Sequence, residues 1–294
     1  MHFVLLAALA LHIPAQFDLK TRPGVGHQTP GTQAKNAQAR LLEESVQSAA
    51  LGRAMKYRVL LPAGYETTLR RYPVLYLLHG LTGDYKDWTT RTNLAEYSRA
   101  LPLIIVMPDG ENQWYTNAAG GGARFEDYIL TDLQADVVRK FRTINSRFGR
   151  AIAGLSMGGY GALKMALKRP GAFAVAASFS GAFGVGDGEV ERLIGQAEAE
   201  RMQQIFGPAG GQTRKENDVF LLASAMKPAT APYIYVDCGI ADNALIAANR
   251  EVIAALHKAG VAYEYHEVAG AHTWDYWDRR IREFLPLLMK RLAN

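Results

Sequence analysis

Ala153-Gly154-Leu155-Ser156-Met157-Gly158-Gly159-Tyr160-Gly161-Ala162-Leu163 holds a Gly-x-Ser-x-Gly pattern between an apolar run and a helix-forming one. Ala151-Ile152-Ala153 leads in as a strand would, and the residues after Ser156 have helical character. This layout predicts a nucleophile elbow, a sharp strand-to-helix turn that lifts a serine hydroxyl above the edge of a sheet. Gly154 and Gly158 suit it because strand and helix nearly touch at such a turn, leaving no room for a Cβ. A helix starting at Met157 aims free N–H groups and its positive dipole end at the place where an oxyanion would form. The plain alternative is an ordinary glycine-rich turn, and the strand–turn–helix context argues against it.

Outward from the elbow, short β-like runs alternate with helical patterns, the signature of a parallel sheet covered on both faces. Residues 56–61 alternate in character and close on Pro62, which predicts an early antiparallel strand. Residues 73–78 and 103–107 are nearly all apolar, as expected of strands buried on both faces. Residues 125–141 have helical spacing, and the elbow helix should run to about 168, where Pro170-Gly171 stops it. Residues 173–179 predict another buried strand. Two helical stretches, 189–206 and 217–226, form an excursion (181–232) expected to cover the pocket. A strand at 233–237, a helix at 244–258, a last strand at 262–268 and a closing helix at 276–292 complete one α/β domain over residues 42–294.

Composition narrows the functional classes. The 294 residues are 49% hydrophobic, enough for a large core, and the net charge of +5 is spread along the chain. No Lys/Arg run with interleaved aromatics supports a nucleic-acid partner. Cys238 is the only cysteine, which removes a disulfide framework and a cysteine-rich metal site. No metal and no cofactor are expected. Residues 3–11 are continuously apolar and Ile13-Pro14-Ala15 could end a cleavage site, so residues 1–15 read as a signal peptide, although Met1-His2 supplies no Lys or Arg. The run is too short to span a bilayer, so no stable membrane insertion is expected. Residues 16–41, rich in Gly, Pro, Gln and Thr, read as a linker. A secreted or periplasmic location follows, with the cytoplasm as the alternative.

A serine hydroxyl needs a base within hydrogen-bond reach. In α/β-hydrolases the order is Ser, then Asp or Glu, then His, with acid and base on loops after later strands. Of seven histidines, His2, His12 and His27 fall in the signal and tail, and His79 precedes the serine. His257 lies near a helix end and His266 inside the last strand. His272 remains, on the loop just past that strand. Asp237 and Asp242 both lie near the end of the preceding strand. Asp237 belongs to the strand itself, whereas Asp242 sits in a loop able to turn back over the sheet edge, so Asp242 is taken as the acid. Oxyanion donors are expected at the backbone N–H groups of Met157 and Leu81, the latter in Leu78-His79-Gly80-Leu81-Thr82-Gly83.

At this point the chain resembles the esterase D group of α/β-hydrolases. Four segments carry the resemblance: Tyr72 to Gly80; Met107-Pro108-Asp109-Gly110 with Trp114-Tyr115-Thr116-Asn117; the Ser-Met-Gly-Gly elbow; and Gly270-Ala271-His272-Thr273-Trp274-Asp275-Tyr276-Trp277. It spans residues 51–292. It implies an α/β-hydrolase fold with a mostly parallel central sheet, and a triad at Ser156, Asp242 and His272 with Leu81 and Met157 as oxyanion donors. The implied activity is serine-dependent hydrolysis of carboxylic esters, small-molecule or carbohydrate, with short-chain acyl or acylated-sugar groups. The alternatives are acyl transfer to a sugar hydroxyl, as in mycolyltransferases, S-formylglutathione hydrolysis, and a binding protein without chemistry. S-formylglutathione hydrolases usually place a cysteine after Gly-Leu-Thr; here Gly83 and Asp84 follow Thr82. Trp114 and Tyr115 are candidates for lining the substrate pocket, with the core as the competing assignment.

Overall fold

The computed structural model describes residues 39–185 and 195–292. The expected signal peptide, the linker up to residue 38 and the start of the helix expected at 189–206 lie outside the described residues.

Eight strands form one sheet: β1 (Arg40–Ser48), β2 (Arg53–Leu61), β3 (Val74–Leu78), β4 (Ile104–Pro108), β5 (Arg150–Leu155), β6 (Val175–Phe179), β7 (Tyr233–Gly239) and β8 (Tyr263–Val268). Their order is β1-β2-β4-β3-β5-β6-β7-β8. β2 is antiparallel to both neighbours, and β4 through β8 run parallel. The run Val74-Leu75-Tyr76-Leu77-Leu78 shows why apolar continuity marks such strands. Val74, Tyr76 and Leu78 enter one core, while Leu75 and Leu77 enter the core on the other face. The first core takes the elbow helix, Met157–Lys168, and the second takes the closing helix, Trp274–Met289.

β1 starts at Arg40, inside the stretch expected to be linker. Its sequence, RLLEESVQS, leaves only Val46 and Ser48 buried, since it is an edge strand paired on one side. The helical stretch from Phe125 to Lys140 contains a π-helical section, Tyr128–Leu133, which simple 3.6-residue spacing does not foresee. In the excursion, Gln196–Phe206 and Val219–Ala225 are helical, the latter capped by the Asp218 side chain, and a short helix at Gln212–Glu216 was not foreseen. No helix among the described residues is long and apolar enough to cross a membrane.

The elbow is where packing is tightest. A Cβ on Gly154 would stand 2.4 Å from the Gly158 carbonyl group, and one on Gly158 would stand 2.5 Å from the His79 carbonyl oxygen. Strand, helix and the loop after β3 therefore meet backbone to backbone. A second clamp lies below. The Lys164 ammonium, fully buried on the elbow helix, donates to the Tyr115 carbonyl at 2.6 Å and to Thr116 Oγ1 at 2.8 Å, and pairs with Glu126 at 3.0 Å. It thereby pins Trp114 and Tyr115, whose φ values of 52° and 50° are costly for residues with side chains. Burial pulls Lys164 down to about 8, with Glu126 opposing the shift.

Gly158→Ala should cost at least ~2 kcal/mol, a fall of about 5 °C or more in melting temperature, because the colliding atoms are backbone and cannot rotate away. For Lys164, the unfolded chain binds the extra proton between about pH 8 and its ordinary value, so the penalty for burying it is present below pH 8 and disappears as pH rises. Denaturant melts of wild type and Lys164→Met should therefore show the difference moving in favour of wild type between pH 7.5 and 10, by on the order of 2 kcal/mol.

Candidate active site

Ser156 sits alone at the junction of β5 and the elbow helix with φ 53° and ψ −119°, a backbone conformation that only a tightly held turn retains. Its N–H donates to the Phe179 carbonyl at 3.0 Å and its carbonyl accepts from Ala182 N–H at 3.1 Å, so β6 and the following loop hold it in place. The hydroxyl is thereby left above the carboxyl ends of the parallel strands, where open α/β sheets hold their ligands.

The structure brings Ser156, His272 and Asp242 into one hydrogen-bonded chain. His272 Nε2 is 2.9 Å from Ser156 Oγ, and His272 Nδ1 is 2.7 Å from Asp242 Oδ2. A carboxylate only accepts, so Nδ1 carries the proton and Nε2 is free to accept from the serine. Asp242 is 1% exposed at its side chain and His272 37%, so the acid is sealed while the imidazole faces the cleft. The Trp277 ring meets the imidazole edge-on, with centroids 4.8 Å apart, and limits its rotation.

The two partner loops are drawn together by backbone. A Cβ on Gly239 would stand 2.4 Å from the Gly270 carbonyl oxygen, and Ala241 N–H donates to that oxygen at 2.9 Å. The loop after β7, which bears Asp242, is thus laid against the loop after β8, which bears His272. Asp237, the competing carboxylate, is fully occupied elsewhere. It accepts from Tyr276 Oη at 2.7 Å and from Arg280 Nε at 2.9 Å, inside the strand and out of contact with solvent. Burial raises its pKa in spite of the arginine beside it. Cys238 is also buried, which pushes its thiol up to about 12 and leaves it protonated at neutral pH.

The loop after β3 is held by His79, a role beyond what its sequence position disclosed. His79 Nδ1 donates to the Gly80 carbonyl at 2.7 Å, and Nε2 accepts from Gly110 N–H at 2.9 Å. Asn112 accepts from Thr82 N–H at 2.8 Å on the same loop. A Cβ on Gly80 would lie 3.5 Å from the Ser156 Cβ, so Leu81 follows directly beside the serine. Met157, next after the serine, is the first residue of the elbow helix.

Ser156 and His272 open into a cleft of about 550 Å³, with Leu81, Trp114, Trp274 and Trp277 on its walls. Asp87 and Arg91, paired with each other at 3.3 Å, also line it. Trp114 lines the cleft; Tyr115 does not. Tyr115 is fully buried beneath the loop after β3, donating from its hydroxyl to the His79 carbonyl at 3.0 Å. Its ring fills the space that Cβ atoms on Gly110 and Gly161 would need, which is a packing role rather than a wall. Among the described residues of the excursion, Ala182 lies on the cleft wall. Phe206 instead backs Trp114 from behind, at a centroid distance of 6.3 Å. Trp274 and Trp277, read from sequence only as part of a motif, prove to be wall residues as well. Their proximity to His272 in the chain was the signal available.

Comparison with known proteins agrees with this architecture. The model of a family described as "Putative esterase" matches residues 48–288. Esterase Rv1288 of Mycobacterium tuberculosis is 33% identical over 258 residues, covering 78% of this chain and 54% of that protein. The chain thus spans about half the length of that relative. The acetyl esterase of Caldicellulosiruptor saccharolyticus is 29% identical over 217 residues, covering 70% of this chain and 79% of the relative. Among solved structures, the fluorophosphonate-binding serine hydrolase FphF of Staphylococcus aureus superposes with a TM-score of 0.75 at 26% identity, covering 86% of this chain and 99% of that one. The fold is that of the α/β-hydrolases. The matched stretch includes the elbow, the loop after β3 and both partner loops, and the chain belongs to the Putative esterase family.

Proposed function

We propose that this protein is a serine esterase that hydrolyses carboxylic esters through an acyl-enzyme on Ser156. The observation that carries this reading is the continuous chain from Asp242 to His272 to Ser156, at 2.7 Å and 2.9 Å, opening into the cleft. As Ser156 Oγ bonds to the ester carbonyl carbon, His272 Nε2 takes the hydroxyl proton, and Asp242 stabilises the imidazolium without taking a proton itself. The carbonyl oxygen becomes an oxyanion, for which the Leu81 and Met157 N–H groups are the donors, helped by the dipole of the elbow helix. Collapse breaks the bond to the alcohol oxygen, which leaves with the proton from His272. Water then attacks the acyl carbon while His272 accepts its proton, and the carboxylic acid departs as Ser156 is reprotonated.

The apolar, tryptophan-walled cleft of about 550 Å³ suits small acyl groups with a flat or ring-shaped alcohol portion, including acylated sugars. The acetyl esterase among the relatives supports short acyl chains. Acyl transfer to a sugar hydroxyl would use the same acyl-enzyme and differ only in the second nucleophile. Product analysis with p-nitrophenyl butyrate and added trehalose separates the two, since free acid is expected here and a sugar ester would favour transfer.

Ser156→Ala should lower turnover of p-nitrophenyl acetate by on the order of 10⁴ or more and abolish labelling by a fluorophosphonate probe, with the melting temperature nearly unchanged. Persisting turnover or labelling would remove Ser156 from the mechanism. Asp242→Asn keeps the shape but leaves His272 in the wrong tautomer, so kcat should fall about 10³- to 10⁴-fold with little change in KM. Steady-state kinetics on the two purified variants checks both.

A further inference from the structure

Strands β3 to β8 run the same way, so all their amino-terminal ends lie at one end of the sheet, opposite the cleft. The connections that reach that end carry charge of a single sign. Residues 68–73, before β3, hold Arg70 and Arg71; residues 141–149, before β5, hold Arg142 and Arg147; residues 169–174 and 226–232, before β6 and β7, hold Arg169 and Lys227. None of these four connections contains Asp or Glu. Glu66, in the adjoining turn, is already paired with Arg40 at 2.7 Å. Helix carboxyl ends attract cations, yet Arg70 and Arg71 lie outside any helix.

The first two connections are joined to each other. Tyr72 N–H donates to the Arg142 carbonyl at 2.8 Å, Ile144 N–H to the Tyr72 carbonyl at 2.8 Å, and Arg71 Nη1 to the Thr143 carbonyl at 3.2 Å. This joined pair presents two large apolar side chains to solvent, Leu69 at 93% and Phe148 at 63% exposed. The Arg147 guanidinium lies 5.7 Å from the Phe148 ring centre, cation and apolar tip together. At the cleft end the loops mix signs: Asp84, Asp87, Asp109 and Glu111 stand with Lys86 and Arg91, and Asp87 pairs with Arg91 and Glu111 with Arg53.

We propose that the basic end of the sheet, with Leu69 and Phe148 at its surface, is a docking face for an anionic lipid surface. Lipid phosphates answer the exposed Arg70, Arg169 and Lys227, while Leu69 and Phe148 enter the headgroup layer. An acidic peptide would satisfy the charges but leave both apolar side chains in water. The cleft lies at the other end of the parallel strands, so the docked enzyme holds it toward solution. Each cation near such a surface strengthens binding on the order of fivefold at low salt, and the effect fades as salt rises.

The test is co-sedimentation of the full chain with vesicles of phosphatidylcholine, alone or with one third phosphatidylglycerol, at low and physiological salt. Binding is expected only with phosphatidylglycerol and should weaken with salt. The triple variant Arg70→Glu, Arg169→Glu, Lys227→Glu should bind at least tenfold more weakly, and the double variant Leu69→Ser, Phe148→Ser severalfold more weakly. Both should keep the wild-type melting temperature and ester turnover, which shows that they fold. Absence of binding to phosphatidylglycerol vesicles at low salt overturns the proposal, as does binding that survives the triple charge reversal. Binding that is lost on charge reversal but unaffected by the Leu69 and Phe148 changes overturns the lipid assignment in favour of a soluble acidic partner.

Discussion

Contact between bare backbones at the end of β5 is the constraint on which the rest of this molecule depends. Gly154 lies against Gly158 and Gly158 against the carbonyls of Leu78 and His79, with no side chain between them. That closeness forces the reversal at Ser156 into positive φ, and the reversal in turn raises the hydroxyl out of the sheet. It also brings the loop after β3 beside the serine, because one helix residue touches both. A strained serine is tolerated where the surroundings over-determine it. Here Phe179 and Ala182 hold its backbone from the β6 side, and Lys164 braces the same helix from below.

A second close approach, Gly239 to Gly270, does for His272 and Asp242 what the first does for Ser156. It sets the loops after β7 and β8 side by side, so that one hydrogen bond from His272 spans between them. The Asp237–Tyr276–Arg280 network lies just behind, inside the sheet. Tyr276 and Arg280 belong to the closing helix, so this buried network fixes that helix to β7. The same helix carries Trp274 and Trp277 into the cleft. One strand end therefore governs Asp242, the ring contact of His272 and part of the pocket wall.

The division of labour between the two carboxylates follows from solvation. Asp237 is enclosed with an arginine and a tyrosine that use both its oxygens, which makes it structural. Asp242 is as deeply buried at its side chain, yet its hydrogen-bonded neighbour His272 is partly open to the cleft. Tyr115 and Trp114 divide in a similar way. Adjacent in sequence and both in positive φ, they point to different ends of one strained turn: the indole toward the cleft, the phenol under the loop after β3.

Much of this was legible in the chain because it depends on local chemistry. The five-residue spacing of the elbow, the apolar continuity of strands such as Val74–Leu78, and the position of His272 just past the last strand are set by periods and steric demands that operate within a few residues. What local pattern could not provide were matters of distance in space. The pairing of edge strand β1 was missed because its exposed face leaves little apolar signal, and the π-helical section because it depends on packing rather than spacing. Whether Tyr115 faced the pocket or the core depended on Gly110 and Gly161, remote in sequence from one another. The sequence alone determined which residue types were available for the chemistry and the order in which the strands would present them. Only the tertiary structure decided which of those residues meet, since a contact between loops thirty or more residues apart is settled by the packing of a whole sheet and not by any stretch of it.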